Sequence, residues 1–552
     1  MKKTKNTFIY ILLSSLFILS GCGTQETSNV ETSTETASAE AENETSVAAI
    51  DTSDIFSDRD LAGDYDTDEV IGIQMNGDSA SCSSDSVSID GGTVTIASEG
   101  IYLITGTLTD GQIVINASDN DKVQLVLAGA DITSSTSAAI YIMEADKVFV
   151  TLAEGTENTL ANGGEYISTD ENNVDAVIFS KTDLTLNGSG SLKINAMEGH
   201  GVVSKDDLVI TDGSYSITAA SHGLSGKDSV AIADGTFDIT AGKDGIHSEN
   251  EDDLTLGWLY VRNGDFTINS QGDAVSAQGA LQIDGGAFEL YTGEGSTSVE
   301  MTDSGEPGSK GGREQRNEDV QTSDSDTDNS TSQKGIKGEN AYTINGGTFN
   351  IDSADDCLHA GGEMTISSGT FTLNSGDDAV HCDEALTILN GSFTIPYCYE
   401  GIEGLSITIE NGVFDIISYD DGVNAAGGVD SSGFGGFGGR GQDSFASSSD
   451  SFITINGGTF TIVSDGDCID SNGSLTINGG TLDLTCNSNG NTALDCDGSY
   501  TNNGGDVTTN DGSENNPGQM GGGMRGPGSG ESRGNMHRQG NAETSEQESQ
   551  NN

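Results

Sequence analysis

The chain has 552 residues, and its 88 acidic and 21 basic residues give a formal net charge of −67. This charge excludes electrostatic attraction to nucleic acid or to an anionic membrane surface. Glycine is abundant, with 77 residues, while hydrophobic residues make up only 33% of the chain. Such a composition is typical of a repetitive β-structure flanked by polar segments that do not fold.

The N-terminus has the features of a secretion signal. Three lysines within the first five residues precede an apolar run over 8–19, which is too short for a membrane-spanning helix and fits a signal peptide. The following Leu19-Ser20-Gly21-Cys22 resembles a bacterial lipobox, and this resemblance implies lipidation of Cys22. We expect residues 1–22 to be a lipoprotein signal peptide, and the chain to be lipid-anchored to the bacterial cell membrane outside the cytoplasm. An ordinary secretory signal with an incidental cysteine is the alternative.

The next segments predict a spacer followed by the start of the folded domain. Residues 23–57 are rich in Ser, Thr, Glu and Ala, which indicates a flexible spacer. Residues 58 to about 165 contain β-type runs of irregular spacing. We expect these runs to form the opening coils and cap of a repeat structure, because terminal repeats are atypical.

One eight-residue motif then recurs through the C-terminal half, typically 21 or 22 residues apart. The first copy reads Tyr-Thr-Ile-Asn-Gly-Gly-Thr-Phe. The copies span 342–349, 364–371, 386–393, 407–414, 453–460 and 475–482. A fixed period built from short strands and glycine turns indicates a solenoid.

The repeat unit predicts an all-β fold, a right-handed parallel β-helix with coils of about 22 residues over 58–510. Its strands alternate apolar and polar residues, and Asn-Gly or Gly-Gly supplies tight corners. We expect one residue of each motif to form a stack inside the helix: Phe349, Phe371, Phe393 and Phe414. A β-sandwich is the alternative for such strands, but it does not keep a constant register.

Low-complexity segments interrupt and follow the repeat. The ranges of about 294–338 and 426–450 are predicted to be loop insertions, each projecting from one coil. Residues 511–552 are rich in Gly, Asn, Ser and Gln, and predict a disordered tail.

A carboxylate follows the Phe of each coil by seven residues. The acids at this position are Asp244, Asp273, Asp356, Asp378, Glu400, Asp421 and Asp467. Further acids lie directly before or three residues after this position, at Asp355, Asp377, Asp420, Glu403 and Asp470. Equal sequence offset means equal angular position in a solenoid, so these acids are predicted to form a column. At two earlier corners His200 and His222 replace the acid.

Stacked carboxylates repel one another, and a bound cation relieves the repulsion. Ca²⁺ takes oxygen ligands in flexible geometry, so we expect Ca²⁺ to bind on this column. A solvated acidic edge is one alternative. A transition-metal site built from His359, His381, Cys357 and Cys382 is another, although their spacing is that of the repeat.

Seven cysteines remain beyond Cys22. Their odd number argues against a fully paired disulfide framework, so they are expected to be small buried core residues. A disulfide between adjacent coils remains open, because the expected compartment is oxidising.

Several stretches resemble the bacterial carbohydrate-binding β-helix family. They lie at 106–116, 123–137, 150–160, 204–210, 226–232 and 241–246. The resemblance implies a secreted, often lipid-anchored protein with a pectate-lyase-like right-handed β-helix. It further implies binding of plant cell-wall polysaccharide, cellulosic or pectic, with bound calcium and without catalysis.

Other function classes share this fold. A calcium-dependent polysaccharide lyase needs a strong base, and Arg262 is the sole arginine in the coils outside the insertions. A hydrolase of the polygalacturonase type is indicated only weakly by Gly199-His200-Gly201. A structural adhesin would share the solenoid but lack sugar contacts. For the expected monomeric polysaccharide-binding protein, Tyr397, Tyr399 and Tyr419 near the acid column are candidates to stack on sugar rings.

Overall fold

The computed structural model describes residues 50–167, 172–253, 255–299, 301, 332–426, 450–488 and 490–517. This part of the chain is nearly all β-structure. It has one short α-helix, Asp58–Leu61, and two 3-10 helices, Ser296–Ser298 and Ser513–Asn515. None of these described helices has the length and hydrophobicity needed to cross a membrane. The predicted signal peptide, Cys22 and most of the predicted spacer lie outside the described residues.

The strands form three parallel ladders. The acid-side ladder follows the corner acids and comprises Thr93–Ile96, Gln112–Asn116, Ile140–Glu144, Ala176–Ser180, His200–Ser204, Leu224–Gly226, Ile246–Ser248, Val275–Ala277, Ile336–Gly338, Leu358–Ala360, Val380–Cys382, Ile402–Glu403, Val423–Ala425 and Asp470–Ser471. The Thr-Ile ladder comprises Lys147–Leu152, Asp183–Asn187, Asp207–Ile210, Ser229–Ile232, Trp258–Val261, Leu281–Ile283, Tyr342–Ile344, Met364–Ile366, Ala385–Ile388, Ser406–Ile409, Phe452–Ile455, Ser474–Ile477 and Tyr500–Asn502. The Phe ladder comprises Val70–Gly77, Gly100–Leu108, Glu157–Asn162, Ser191–Ala196, Ser214–Ala219, Thr236–Ala241, Asp265–Ser270, Ala287–Thr292, Thr348–Ser353, Thr370–Ser375, Ser392–Tyr397, Val413–Ser418, Thr459–Ser464, Thr481–Cys486 and Asp506–Thr509.

Three further strands complete the N-terminal end. The long strand Lys122–Ser134 pairs with Lys147–Leu152 through its first half and with Glu157–Asn162 through its second half. It therefore joins the Thr-Ile and Phe ladders, and Gly100–Leu108 and Val70–Gly77 continue both ladders in the same way. Two antiparallel strands, Ala80–Ser81 and Val87–Asp90, pair with the first strands of the Phe and acid-side ladders. The predicted solenoid-like, repetitive β-architecture is confirmed at this level.

A stack of aromatic rings fills the interior behind the Phe ladder. Successive ring centroids are 4.5–5.3 Å apart and nearly parallel. The members are Tyr215, Phe237, Phe266, Phe288, Phe349, Phe371, Phe393, Phe414 and Phe460. All are buried, so the predicted stack is confirmed and extends beyond the four residues named from the sequence.

The glycine two residues before each Phe is required by this stack. Gly347 has a φ of 123°, a conformation that side chains rarely adopt. A Cβ at Gly347 would lie 3.0 Å from the ring of Phe349. The motif therefore uses glycine for backbone freedom and for space above the ring.

The N-terminal helix docks on the side of the Thr-Ile ladder. Ser57 caps the helix by accepting the backbone N–H of Asp60. The buried carboxylate of Asp60 accepts a hydrogen bond from Thr185 at 2.6 Å and lies 2.8 Å from Nζ of Lys147. This segment begins the folded part, close to the predicted boundary at 58.

Three predicted boundaries differ from the structure. Strand Ile336–Gly338 continues the acid-side ladder although it lies in the predicted insertion 294–338, and Ser296–Ser298 is a 3-10 helix there. Ala426, placed in the second insertion, is buried. Ser513, placed in the disordered tail, accepts the backbone N–H of Leu494 at 3.0 Å. Within these three ranges the structure describes residues 294–299, 301, 332–338, 426, 450 and 511–517.

Candidate functional site

Residues at one corner of each coil form a column, as the constant offset predicts. We call this set the corner column: His200, His222, Asp244, Asp273, Lys334, Asp356, Asp378, Glu400, Asp421 and Asp467. Each member precedes a strand of the acid-side ladder or begins one, and the strands pair in register. The sequence therefore located the acids correctly.

The corner acids hold neighbouring coils together. In four coils, Oδ1 accepts the backbone N–H of the corner residue in the next coil. These bonds join Asp273 to Asp244 at 2.9 Å, Lys334 to Asp273 at 2.7 Å, Asp378 to Asp356 at 3.0 Å and Asp467 to Asp421 at 2.6 Å. An N–H that a corner would otherwise leave unsatisfied thus receives a charged acceptor.

At the two corner histidines a ring nitrogen, instead of a carboxylate oxygen, accepts the backbone N–H of the next corner residue. Nδ1 of His200 accepts the N–H of His222 at 3.3 Å, and Nδ1 of His222 accepts the N–H of Asp244 at 3.2 Å. Burial lowers the pKa of His200 to about 3 and also lowers that of His222. Both rings are therefore neutral acceptors, which explains why histidine replaces the acid here.

The alternative of a solvated acidic edge is wrong for most of the column. Asp273 and Asp356 are only 2% and 1% exposed, and Asp244, Asp378 and Glu400 are also buried. Buried carboxylates need paired charges or several hydrogen bonds. The column is therefore part of the interior, where the hydrogen bonds between coils form.

The protein itself supplies cations to part of the column. Nζ of Lys334 lies 2.6 Å from Oδ2 of Asp356 and 3.1 Å from Oδ1 of Asp355. His359 Nδ1 lies 2.9 Å from the same oxygen of Asp356. Burial opposes ionisation of Asp356, but Lys334 and His359 hold its pKa well below the usual range. Lys334 thus supplies a positive charge to Asp356 from within the protein.

A polar groove of about 460 Å³ lies beside the N-terminal half of the column. Its walls come from four successive coils. The lining residues are His222, Gly242, Lys243, Asp244, His247, Glu249, Gln271, Gly272, Asp273, Ser276, Gln278, Lys337, Glu339 and Asn340. Amides, carboxylates and ammonium groups thus line one concave surface, which is the arrangement that recognises a polar ligand.

Three ionisable side chains in contact with one another, Asp244, His247 and Glu249, lie along one side of this groove. Nδ1 of His247 lies 2.8 Å from Oδ2 of Asp244, and Nε2 of His247 lies 3.0 Å from Glu249. Burial opposes the charge, but these two carboxylates raise the pKa of His247 to about 9. His247 is therefore an imidazolium that carries positive charge into the groove at neutral pH.

Two lysines add positive charge to the groove. Lys337 pairs with Glu339 at 2.6 Å. Lys243 is partly buried, and within the described residues it forms no ion pair. In a chain of net charge −67, an unpaired lysine in a concave surface is a candidate partner for an anionic group of a ligand.

A group of carboxylates lies at the other end of the column. Asp467, Asp470 and Asp495 each offer an oxygen, and these oxygens lie within 4.8 Å of one another. Burial, together with Asp470 and Asp495, raises the pKa of Asp467 to about 7. Burial and the charges of Asp470, Asp420 and Asp467 also raise the pKa of the neighbouring Asp421. An all-oxygen set with mutual repulsion fits the donor chemistry of Ca²⁺.

The three candidate tyrosines differ in accessibility. Tyr399 is 7% exposed, so the expectation that it offers a ring face to a sugar is wrong. Its ring packs against that of Tyr419, with centroids 6.0 Å apart. Tyr397 and Tyr419 are partly exposed and can still contact a ligand.

The structure does not place the cysteines or Arg262 as the transition-metal and lyase alternatives require. The sulfur of Cys357 lies 3.1 Å from a backbone carbonyl, as does that of Cys382, so neither turns to His359 or His381. The seven described cysteines are free thiols, five of them buried. The guanidinium of Arg262 lies 5.1 Å from the ring centre of Phe56, and Arg262 does not line the groove.

The sequence interpretation named Asp244 and Asp273 of the groove but missed Lys334, Lys243 and Gln278. Lys334 fell inside a predicted insertion, although Lys334-Gly335-Ile336 repeats the Asp244-Gly245-Ile246 pattern with lysine in the acid position. This repeat of the pattern could have identified Lys334 as a corner residue from the sequence. Lys243 lies in the segment 241–246 that carries the family resemblance. Only the stacking of coils places Lys243 and Gln278 in one groove.

Comparison with known proteins gives the following matches. Models of the carbohydrate-binding domain-containing protein family match residues 90–379, 362–436 and 378–516. Over 137 residues the chain is 37% identical to a carbohydrate-binding domain-containing protein of Acetivibrio thermocellus. That match covers 24% of this chain and 48% of the relative, or about half of the relative's length. A solved structure described as the polysaccharide lyase-like protein from C. thermocellum, gadolinium derivative, is 34% identical with a TM-score of 0.39. The match covers 40% of this chain and 91% of that one.

Proposed function

The chain belongs to the family of carbohydrate-binding domain-containing proteins, and on that premise we propose that its groove binds a cell-wall polysaccharide without cleaving it. The observation that carries this proposal is the unpaired Lys243 among the amides of Gln271, Gln278 and Asn340. Amides donate to and accept from sugar hydroxyls. The ammonium group of Lys243 would pair with a uronate carboxylate.

An acidic polysaccharide is the favoured ligand class. Within the described residues Lys243 is the groove cation that has no carboxylate partner, since Lys337 pairs with Glu339 and His247 pairs with Asp244 and Glu249. The chain as a whole would repel a polyanion. Binding would therefore be local, at the groove, and would strengthen at moderate salt as the distant repulsion is screened. A neutral cellulosic chain would depend on ring stacking at Tyr397 and Tyr419 instead.

We also propose that Ca²⁺ binds at Asp467, Asp470 and Asp495, with Asp421 next to them. Three oxygen donors from adjoining coils suit this ion, and its charge would relieve the repulsion that raises the pKa of Asp467. When bound, the ion would stiffen the C-terminal coils. The remaining acids predicted from the sequence as Ca²⁺ ligands are weaker candidates where Lys334 or a histidine already contacts them.

Location and coil geometry remain parts of the proposal. We propose a right-handed parallel β-helix, monomeric, held outside the cytoplasm by lipid on Cys22. Metabolic labelling with a radioactive fatty acid tests the anchor. Label on the wild-type chain, and its loss in Cys22→Ala, is the expected result. Equal labelling of both chains would contradict the anchor.

Variants of the groove test the carbohydrate site directly. Lys243→Gln and Gln278→Ala are compared with Tyr397→Ala on an array of acidic and neutral cell-wall glycans. We expect both groove variants to lose acidic glycans, and Tyr397→Ala to retain them. Loss of all glycans only in the tyrosine variant would move the site to the Tyr397 surface and overturn the groove.

An array with chelator separates the two parts of the proposal. Ca²⁺ bound at Asp467 is distant in the coil order from the groove. Chelation is therefore expected to lower the melting temperature while leaving glycan binding in the groove intact. Loss of all acidic-glycan binding on chelation would mean that Ca²⁺ bridges protein and sugar, against the lysine-based site.

A further inference from the structure

A cluster of one histidine and two carboxylates lies outside the groove, in the coils that begin at Asp378 and Glu400. Nδ1 of His381 lies 2.9 Å from Oδ2 of Asp378 and 2.9 Å from Oε2 of Glu403. Nε2 of the same ring lies 3.1 Å from Oδ1 of Asp383. A ring nitrogen carries at most one proton, so the Nδ1 atom has two carboxyl neighbours and one hydrogen to share between them.

We propose that Asp378, His381 and Glu403 bind a divalent transition-metal ion, with Zn²⁺ as the representative probe. The donors are one imidazole nitrogen and two carboxylate oxygens, all within 4.8 Å of one another. Imidazole mixed with carboxylate suits Zn²⁺. Ca²⁺ prefers oxygen alone, so this site differs in chemistry from the one proposed at Asp467.

The distances leave room for an ion. Zinc ligands at about 2.0–2.1 Å in a tetrahedron are about 3.3 Å from one another. The two nitrogen–oxygen distances of 2.9 Å are therefore short by only about 0.4 Å, so small rotations of the Asp378 and Glu403 side chains would admit the ion. The Glu403 side chain is 14% exposed, whereas that of His381 is 4% exposed, so Glu403 provides the route by which an ion enters.

Asp383 completes the arrangement as a positioning residue. Histidines that bind metal usually give their other N–H to a carboxylate, which fixes the tautomer and the ring orientation. Nε2–H of His381 donates to Asp383, and this leaves Nδ1 directed at Asp378 and Glu403. The Nδ1 atom of His381 is thus directed at the Asp378 and Glu403 carboxyl groups without a bound ion.

The preceding corner, at Asp356, also has a histidine contact, but there a lysine supplies the positive charge. There His359 contacts Asp356, but Nζ of Lys334 also lies 2.6 Å from that carboxylate. His381 lies next to His359 in register, whereas Glu403 lies next to His381 on the other side. An ammonium group takes the cation position at Asp356, and the proposed ion takes it at Asp378. This contrast makes His359 a matched control.

Metal titration of the full-length chain tests the proposal. The protein is stripped with chelator, saturated with Ca²⁺ to fill oxygen-only sites, and titrated with Zn²⁺ by equilibrium dialysis. We expect His381→Gln and Glu403→Gln each to lose one Zn²⁺ equivalent that His359→Gln retains. Asp383→Asn is expected to weaken that equivalent by about 10- to 100-fold.

Co²⁺ gives a readout that a purely structural role would not change. Wild type and His359→Gln are expected to show the visible absorption of Co²⁺ with nitrogen and oxygen ligands, and Glu403→Gln to lack it. If His381→Gln does not fold, Glu403→Gln provides the test. The Glu403 side chain is partly exposed, so its substitution perturbs the fold less. Undiminished Zn²⁺ stoichiometry and an unchanged Co²⁺ spectrum in Glu403→Gln would overturn the site, as would equal loss in His359→Gln.

Discussion

Nζ of Lys334 lies 2.6 Å from Oδ2 of Asp356, with both side chains almost completely buried. The lysine occupies the corner position of its own coil, where neighbouring coils have acids. A single basic residue thus neutralises the next acid along the column. Charge is thus compensated locally at Asp356, whereas the acids around Asp467 repel one another.

Removal of the lysine at this corner should destabilise the fold strongly. Lys334→Met leaves the buried Asp356 without its main cation, and breaking a buried pair in this way costs about 3–5 kcal/mol. The matched control is Lys337→Met, whose exposed partner Glu339 makes the ion pair worth at most about 1 kcal/mol. Urea unfolding followed by circular dichroism measures both changes. Equal, small effects would contradict the role of Lys334.

The aromatic stack should contribute through burial and packing. Phe371→Ala removes a ring between Phe349 and Phe393, and a truncation of this kind costs about 3–5 kcal/mol. Val413→Ala, on an exposed position of the same ladder, should change stability by less than about 0.5 kcal/mol. Thermal melts of the two variants distinguish them. A Phe371→Ala chain as stable as wild type would show that the stack carries little of the stability.

Periodicity predicted the aromatic stack and the corner column because both depend only on equal sequence offset. Burial of the column could not be predicted in this way, since alternation along a strand does not reveal whether a corner is covered. Tyr399 illustrates the point, because the sequence places it next to Glu400 but only packing against Tyr419 shows that it is covered. Lys334 was missed because its coil begins within a polar, low-complexity range.

The neutral histidine at the first corner predicts a pH dependence. The ordinary pKa of histidine is 6.5, and burial lowers that of His200 to about 3. Between these values the unfolded chain takes up a proton that the folded chain excludes, so this contribution to stability is lost as pH falls from about 6.5 towards 3. His200→Asn keeps an acceptor for the His222 N–H but does not titrate. Its urea midpoint should fall less than that of wild type between pH 7 and pH 5. If the urea midpoints of the two proteins fell equally between pH 7 and pH 5, the lowered pKa of His200 would be contradicted.

The C-terminal acid group predicts the opposite trend. In the absence of Ca²⁺, the folded-state pKa of Asp467 is about 7, above its ordinary 3.8. The folded chain then binds the extra proton, so this contribution to stability rises as pH falls from 7 towards 4. Asp467→Asn removes the effect and should stabilise the chelator-treated protein at pH 7.

Added Ca²⁺ supplies the control for that variant. Ca²⁺ should raise the melting temperature of the wild type at pH 7 and have less effect on Asp467→Asn, because binding to the folded state alone shifts the equilibrium. Identical Ca²⁺ responses of the two proteins would show that the ion does not bind at Asp467.

The central claim is that the groove at Lys243 binds an acidic polysaccharide and does not cleave it. The most direct measurement is calorimetric titration of the full-length chain with oligogalacturonate, followed by ultraviolet and reducing-end assays on the same sample. The account predicts saturable binding, weakened about tenfold or more in Lys243→Gln because a charge-assisted hydrogen bond is lost. It also predicts no unsaturated product and no new reducing ends. Steady product release by the wild type, abolished in Lys243→Gln, would contradict it and identify the groove as the active site of a lyase or hydrolase.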